Sequence, residues 1–175
     1  NPLNPKNTTS FIANASGNTF LGFNSPQNRA SWVVNGYQRH NTAYGFEALT
    51  WGQYTQFSTA IGSKALLNLG SGIATGSGCV GVGYNTGANM THAINSIAIG
   101  NNTTAHNYNN SITIGPNISS GVYRASHDHA LLIGGSDDNI LLYGKMGPNT
   151  SDKELTVVQA KLKVTSSTES DSLII

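Results

Sequence analysis

Asn41-Thr-Ala-Tyr-Gly-Phe-Glu-Ala-Leu49 and Ser58-Thr-Ala-Ile-Gly-Ser-Lys-Ala-Leu66 are two copies of one phrase, and this phrase decides the reading of the whole chain. Its first half, a polar residue followed by two or three small or apolar ones and then Gly, recurs at Asn18-Thr-Phe-Leu-Gly22, Ser96-Ile-Ala-Ile-Gly100 and Ser111-Ile-Thr-Ile-Gly115. Weaker copies are Ala130-Leu-Leu-Ile-Gly134 and Ile140-Leu-Leu-Tyr-Gly144, and Val80-Gly-Val-Gly83 falls between the stronger ones. The glycines at 22, 45, 62, 83, 100, 115, 134 and 144 are separated by 23, 17, 21, 17, 15, 19 and 10 residues. Each phrase predicts a very short strand closed by Gly22, Gly45, Gly62, Gly83, Gly100, Gly115, Gly134 or Gly144, because glycine turns the backbone where a side chain clashes. A strand that short buries little by itself, so stacked units must share one interior. The expectation is an all-β fold of stacked strand-Gly-turn repeats, with several chains packed together to complete the apolar interior. Alternation about each glycine places Ile61, Ile99 and Ile114 in the core and Asn101, Asn109 and Asn117 outside.

The longer phrase resembles the Asn-Thr-Ala-x-Gly-x-x-Ala-Leu repeats of phage tail fibres, and Ser96-Ile-Ala-Ile-Gly100 is similar to the repeats of trimeric autotransporter adhesin heads. The likeness spans roughly residues 18 to 144. It implies a trimeric fibre, a left-handed parallel β-roll or β-helix-like trimer, with the Ala/Ile positions packed inward and the loops outward. The irregular spacing departs from the tidier adhesin repeat. On this resemblance the chain is expected in a tail fibre or tailspike of a virion, as a structural and receptor-binding segment that contacts a glycan or protein receptor on a host cell. The alternatives are the head of an adhesin at a bacterial surface and, further off, a polysaccharide-degrading β-helix enzyme.

Composition agrees with a fibre and argues against other classes. Charged residues make up 10% of the 175, against about 25% in ordinary soluble domains. Asn, Ser, Thr and Gly, which favour turns and strand edges, take their place. The net charge is +1, with no basic stripe, so no nucleic-acid partner is expected. No apolar run approaches the length of a membrane helix, so no membrane insertion by this segment is expected. Asn1-Pro-Leu-Asn-Pro5 lacks the regions of a signal peptide. Cys79 is the single cysteine and reads as a small buried hydrophobe.

Three regions are expected: residues 1–17 as an N-terminal extension, 18–147 as the repeat domain and 148–175 as a stranded stem. The stem reading rests on Leu155-Thr-Val-Val158 and Lys161-Leu-Lys-Val164, which alternate with period two. Ser166 to Ile175 reads as a connector to a further module. The stretch from Ser63 to Leu69 has room for at most a helical turn or two.

No arrangement of nucleophile, base and orienting group is visible, and no enzyme is expected. His127-Asp-His129 is the sharpest chemical motif: on a strand the two rings share a face, and three copies offer six imidazoles to an axial transition metal. The competing reading makes both histidines surface residues, with no cofactor, and is preferred. Seven of the fourteen aromatics lie between Trp32 and Phe57. Tyr44 and Phe46 are expected to pack, leaving Trp51 and Tyr54, with Trp32, as candidate glycan-binding platforms. Asn-x-Ser/Thr sites at Asn7, Asn14, Asn89, Asn101, Asn102, Asn109, Asn117 and Asn149 mark possible glycosylation.

Overall fold

The computed structural model describes residues 17–23, 38–52, 54–71, 75–104, 109–119, 128–136, 139–147 and 153–158. Among them there is no helix, and the stretch from Ser63 to Gly70 is a run of turns. The chain is all-β and winds as stacked coils, a β-solenoid. Its strands are β1 (Thr19–Leu21), β2 (Thr42–Tyr44), β3 (Tyr54–Gln56), β4 (Thr59–Ile61), β5 (Thr75–Ser77), β6 (Val80–Val82), β7 (Ile97–Ile99), β8 (Ile112–Ile114), β9 (Ala130–Gly134), β10 (Ile140–Met146) and β11 (Lys153–Val157).

Nine of these form one sheet in the order β1-β2-β4-β6-β7-β8-β9-β10-β11. From β1 to β9 every pairing is parallel and keeps one register: Thr42 lies beside Thr59, Thr59 beside Val80, Val80 beside Ile97, Ile97 beside Ile112 and Ile112 beside Leu131. A second wall is made by β3 and β5, extended by single parallel bridges from Arg39 to Gln56 and from Ser77 to Ile94. β10 and β11 then run antiparallel to their neighbours and end the stack. β11, expected in a separate stem, therefore continues the same sheet; the second predicted stem strand, 161–164, lies outside the described residues.

The interior is narrow and its residues show it. The middle residue of each strand points inward, giving the row Phe20, Ala43, Ala60, Gly81, Ala98, Thr113 and Leu132, in which Ala43, Ala60 and Ala98 are fully buried. Opposite them sit Leu49, Leu66, Leu69 and Met90, also fully buried. The two sets interlock: a Cβ on Gly81 would lie 2.7 Å from Leu66 Cγ. Small residues on the sheet side make room for the leucines, so the core is thin but closely packed.

This corrects the inward assignment of the isoleucines. Ile61 and Ile99 are 41% and 36% exposed, and Ile114 is half-buried. With only three residues per strand, one position faces in and two face out, and the inward ones are Ala60, Ala98 and Thr113. Tyr44, also expected inside, is 56% exposed. Asn101 and Asn117 lie outside, and Asn109 is half-buried.

Corners are set by backbone conformation. Gly22, Gly45, Gly62, Gly83, Gly100 and Gly115 follow their strands with φ between 122° and 146°. A Cβ on Gly45 would meet the carbonyl oxygen of Gly62 at 2.5 Å, so neighbouring coils touch backbone to backbone at this corner. Gly134 closes β9, whereas Gly144, expected at a turn, lies inside β10 opposite Leu131 and Leu155.

Two other corners carry residues in the left-handed region. Glu47, Lys64, Asn85, Asn102 and Asn117 follow the glycines by two positions with φ between 51° and 60°. His40, Phe57, Asn95, Asn110 and His129 precede the strands with φ between 54° and 69°. Asparagine tolerates this conformation better than most residues.

Candidate assembly and binding surfaces

The sheet from β1 to β9 presents two rows of side chains on its outer face. The first-position row is Thr19, Thr42, Thr59, Val80, Ile97, Ile112 and Leu131; the third-position row is Leu21, Tyr44, Ile61, Val82, Ile99, Ile114 and Ile133. None of these fourteen residues is charged. Leu21 is 62% exposed, and every member of the face is at least partly open to solvent in the single chain. Apart from Thr19, Thr42 and Thr59 the face is apolar, and exposed apolar patches of more than a few hundred square ångströms are uncommon on monomeric proteins. Sequence reasoning missed this face by assigning its isoleucines to the interior.

Beneath that face runs a buried polar ladder. The backbone N–H of Asn41 donates to Asn18 Oδ1 at 2.9 Å, that of Ser58 to Asn41 Oδ1 at 3.0 Å and that of Cys79 to Ser58 Oγ at 3.2 Å. The same device joins Ser111 to Ser96 Oγ at 3.3 Å and Ala130 to Ser111 Oγ at 3.4 Å. The polar residue that opens each phrase thus ties its coil to the next. Cys79 stands in this column, and burial pushes its thiol up to about 11. It is an inert structural thiol rather than a reactive one.

On the outside, the left-handed corner carries an amide ladder. Asn85 Nδ2 donates to Asn102 Oδ1 at 3.0 Å, and Asn102 Nδ2 to Asn117 Oδ1 at 3.3 Å. Glu47 and Lys64 continue the column as an ion pair at 3.9 Å. Just inside it, the Thr86 and Thr103 hydroxyls donate to the carbonyls of Gly100 and Gly115. The recurring Asn two residues after Gly83, Gly100 and Gly115 was the available signal for this ladder.

The aromatic candidates are dispersed. Trp51 is 38% exposed at the end of a turn, its backbone N–H donating to the Leu67 carbonyl at 2.9 Å. Tyr54 is half-buried in β3 on the second wall, and Trp32 lies outside the described residues. Other aromatics form exposed stacks instead: Phe23 on Phe46 with ring centroids 6.0 Å apart, and His40 on Phe57 at 5.4 Å.

His129 is not on a strand; it occupies the corner before β9, with its N–H donating to the Asn109 carbonyl at 2.8 Å and Nε2 lying 3.3 Å from the Asn110 amide nitrogen. The argument for a shared strand face with His127 therefore fails at His129, and His127 itself lies outside the described residues. Asp128 between them accepts the Asn109 backbone N–H at 2.7 Å. Among the described residues no group of three or more His, Cys, Asp or Glu side chains is arranged to hold a metal.

Asn89, Asn101, Asn102 and Asn117 are exposed; Asn109 is half-buried against Asp128; Asn7, Asn14 and Asn149 lie outside the described residues. The amide of Asn102 is engaged by both neighbours in the ladder, and the hydroxyl residues of the Asn101 and Asn102 sites, Thr103 and Thr104, are both buried.

No family model, curated protein or solved structure matches this chain.

Proposed function

We propose that the chain is a segment of an extracellular attachment fibre, most simply a phage tail fibre or tailspike, that assembles as a homotrimer and presents a surface to a host receptor, glycan or protein. The observation that carries this reading is the uncharged outer face of the long sheet. Fourteen side chains without a charge, in a chain whose solubility rests on amides and hydroxyls, call for a cover that water does not provide. Other copies of the same chain supply it at matching spacing along the axis, because every copy carries the same ladder.

The resemblance of the repeats to tail-fibre and adhesin sequences supports the same assembly, and the adhesin head is the second reading. Both use the fold as a scaffold. The carboxylates of Glu47, Asp128 and Glu154 each hold a neighbouring group, by ion pair or hydrogen bond, which favours scaffolding over catalysis at those positions. On this reading Trp51 and Tyr54 remain the first residues to test for glycan contact.

Multi-angle light scattering on the purified chain tests assembly. A mass three times the 18.4 kDa of one chain supports the proposal. A stable monomer at micromolar concentration overturns it.

A further inference from the structure

One residue past the corner glycines, Phe23, Phe46, Ser63 and Tyr84 stand in a column fixed by the backbone. The Phe23 carbonyl accepts the N–H of Glu47 at 3.0 Å, and that of Phe46 accepts Lys64 at 2.7 Å. The Ser63 carbonyl accepts Asn85 at 2.8 Å and that of Tyr84 accepts Asn102 at 2.9 Å. Phe23 and Phe46 occupy neighbouring coils, and their rings stack with centroids 6.0 Å and planes 5° apart. The face of Phe46 turned away from Phe23 therefore looks along the column toward the Ser63 layer. There the aromatic series breaks. Ser63 is half-buried and has no ring, and Tyr84, 51% exposed, resumes the series one coil further on.

The break leaves a slot over Ser63. Two coils span about 9.6 Å at the usual strand spacing, so a six-membered ring laid midway sits about 4.8 Å from each aromatic layer, a distance at which rings stack. The next residue along each coil lines one side of the slot with polar groups. Glu47 and Lys64 form an ion pair at 3.9 Å, and Asn85 gives its amide nitrogen to Asn102. No described residue bonds the Asn85 amide oxygen or the Ser63 hydroxyl. An ammonium, a carboxylate, an amide and a hydroxyl beside an apolar slot suit a guest with apolar faces and a rim that both donates and accepts hydrogen bonds. A pyranose ring is such a guest. An all-carbon aromatic guest would strip water from these groups and return nothing. Because Glu47 and Lys64 neutralise each other, the slot favours an uncharged sugar over an acidic one.

We infer that the slot over Ser63, between Phe46 and Tyr84, binds one neutral pyranose ring of a surface glycan. The inference rests on the attachment reading above and deepens it by naming a ligand class and a site apart from Trp51 and Tyr54. The slot lies past the glycine corner, off the sheet face proposed for assembly, and all of its residues come from one chain. A single ring held this way binds weakly, in the millimolar range, and several copies on one fibre raise the avidity for a dense glycan coat.

The test is saturation-transfer NMR on the folded chain with the methyl pyranosides of glucose, galactose, mannose and N-acetylglucosamine. Methyl glucuronide is the acidic counterpart, and p-cresol mimics a protein ring. At least one neutral pyranoside should receive saturation, strongest at its ring C–H protons, and methyl glucuronide should receive less. Ser63→Phe fills the slot with the residue that its own column carries at Phe23 and Phe46, and should abolish transfer while circular dichroism stays that of the parent. Phe46→Ala and Tyr84→Ala should each weaken binding by about tenfold or more. Phe57→Ala removes an exposed ring from another corner and should leave binding unchanged. If Ser63→Phe does not fold, the two alanine variants decide, and unchanged binding in both overturns the inference. Binding that survives Ser63→Phe, or that is lost in Trp51→Ala but kept in Phe46→Ala and Tyr84→Ala, places the sugar elsewhere; the inference then falls while the attachment reading stands. Transfer to p-cresol alone, or to no probe, also overturns it. A monomeric mass in light scattering removes the assembly reading instead, and sugar binding is scored separately from mass because the slot lies within one chain.

Discussion

The Ser58 hydroxyl accepts the backbone N–H of Cys79 at 3.2 Å, across 21 residues of sequence but only one step of the stack. Cys79 is a serine analogue here: its Sγ lies 3.3 Å from the Ala93 carbonyl, just as Ser58, Ser96 and Ser111 hydroxyls bond nearby carbonyls. Cys79→Ser should therefore fold and unfold much as the parent does near neutral pH. The two proteins should part in alkali. Because burial raises the folded thiol from 9.0 to about 11, the native state holds its proton longer than the unfolded chain does. Its contribution is complete below pH 9 and is lost as pH rises toward 11, by up to about 3 kcal/mol per chain. Denaturant titrations of parent and Cys79→Ser from pH 7 to 11 measure the difference, and parallel curves throughout exclude a protected thiol.

At Gly100, φ is 138° and an added methyl runs into the carbonyl of Gly115. Gly100→Ala should cost at least about 3 kcal/mol, combining backbone strain with the clash. Gly135→Ala is the control, because its added methyl meets only Asn139 Cβ at 3.8 Å, and it should stay within about 0.5 kcal/mol. Equal midpoints for the two variants in guanidinium melts contradict the corner geometry.

Ala98 and Ile99 are adjacent and face opposite ways. Ala98→Leu forces a large side chain into the filled interior and should destabilise the fold by about 1–3 kcal/mol without changing the assembly surface. Ile99→Asp should do the reverse, leaving strand content in circular dichroism intact while lowering the mass seen in sedimentation. A destabilised Ile99→Asp that keeps its assembled mass would place Ile99 indoors after all.

Asn102 separates conformation from hydrogen bonding. Its φ of 51° is unfavourable for alanine, and its amide bridges Asn85 and Asn117. Asn102→Ala loses both advantages and should cost about 1–2 kcal/mol, whereas Asn102→Gly keeps the backbone and should cost less. Equal midpoints for the two variants, both below the parent, show that the exposed amide ladder, rather than the corner conformation, is what the position supplies.

The stacked architecture was legible because a glycine that must take positive φ leaves a mark in the sequence each time the chain turns, as at Gly45, Gly62 and Gly100. Facing was not legible. Ile61 and Ile99 are the largest apolar residues of their strands, and an ordinary hydrophobicity argument sends them inside. The interior between the sheet and Leu49, Leu66 and Leu69 admits only Ala60 and Ala98, so steric fit overrode apolar character. Tyr44 moved outward for the same reason. Gly144 carried the same local phrase but sits in an antiparallel strand, a difference set by its partners β9 and β11 rather than by its own neighbours. His129 looked like a strand residue because the start of β9 at Ala130 leaves no composition signal one position earlier.

Every inter-coil hydrogen bond described here, from Thr42 N–H to the Ser58 carbonyl through Ile97 N–H to the Ser111 carbonyl, points along the direction in which the coils are stacked. Tension applied between the two ends of the stack therefore loads these bonds in series, a few at a time, like the teeth of a zipper rather than the strands of a rope. A lone solenoid under pull peels one coil after another from its end. Chains bound side by side through the outer face, in the assembly proposed above, would instead share the load at every layer at once.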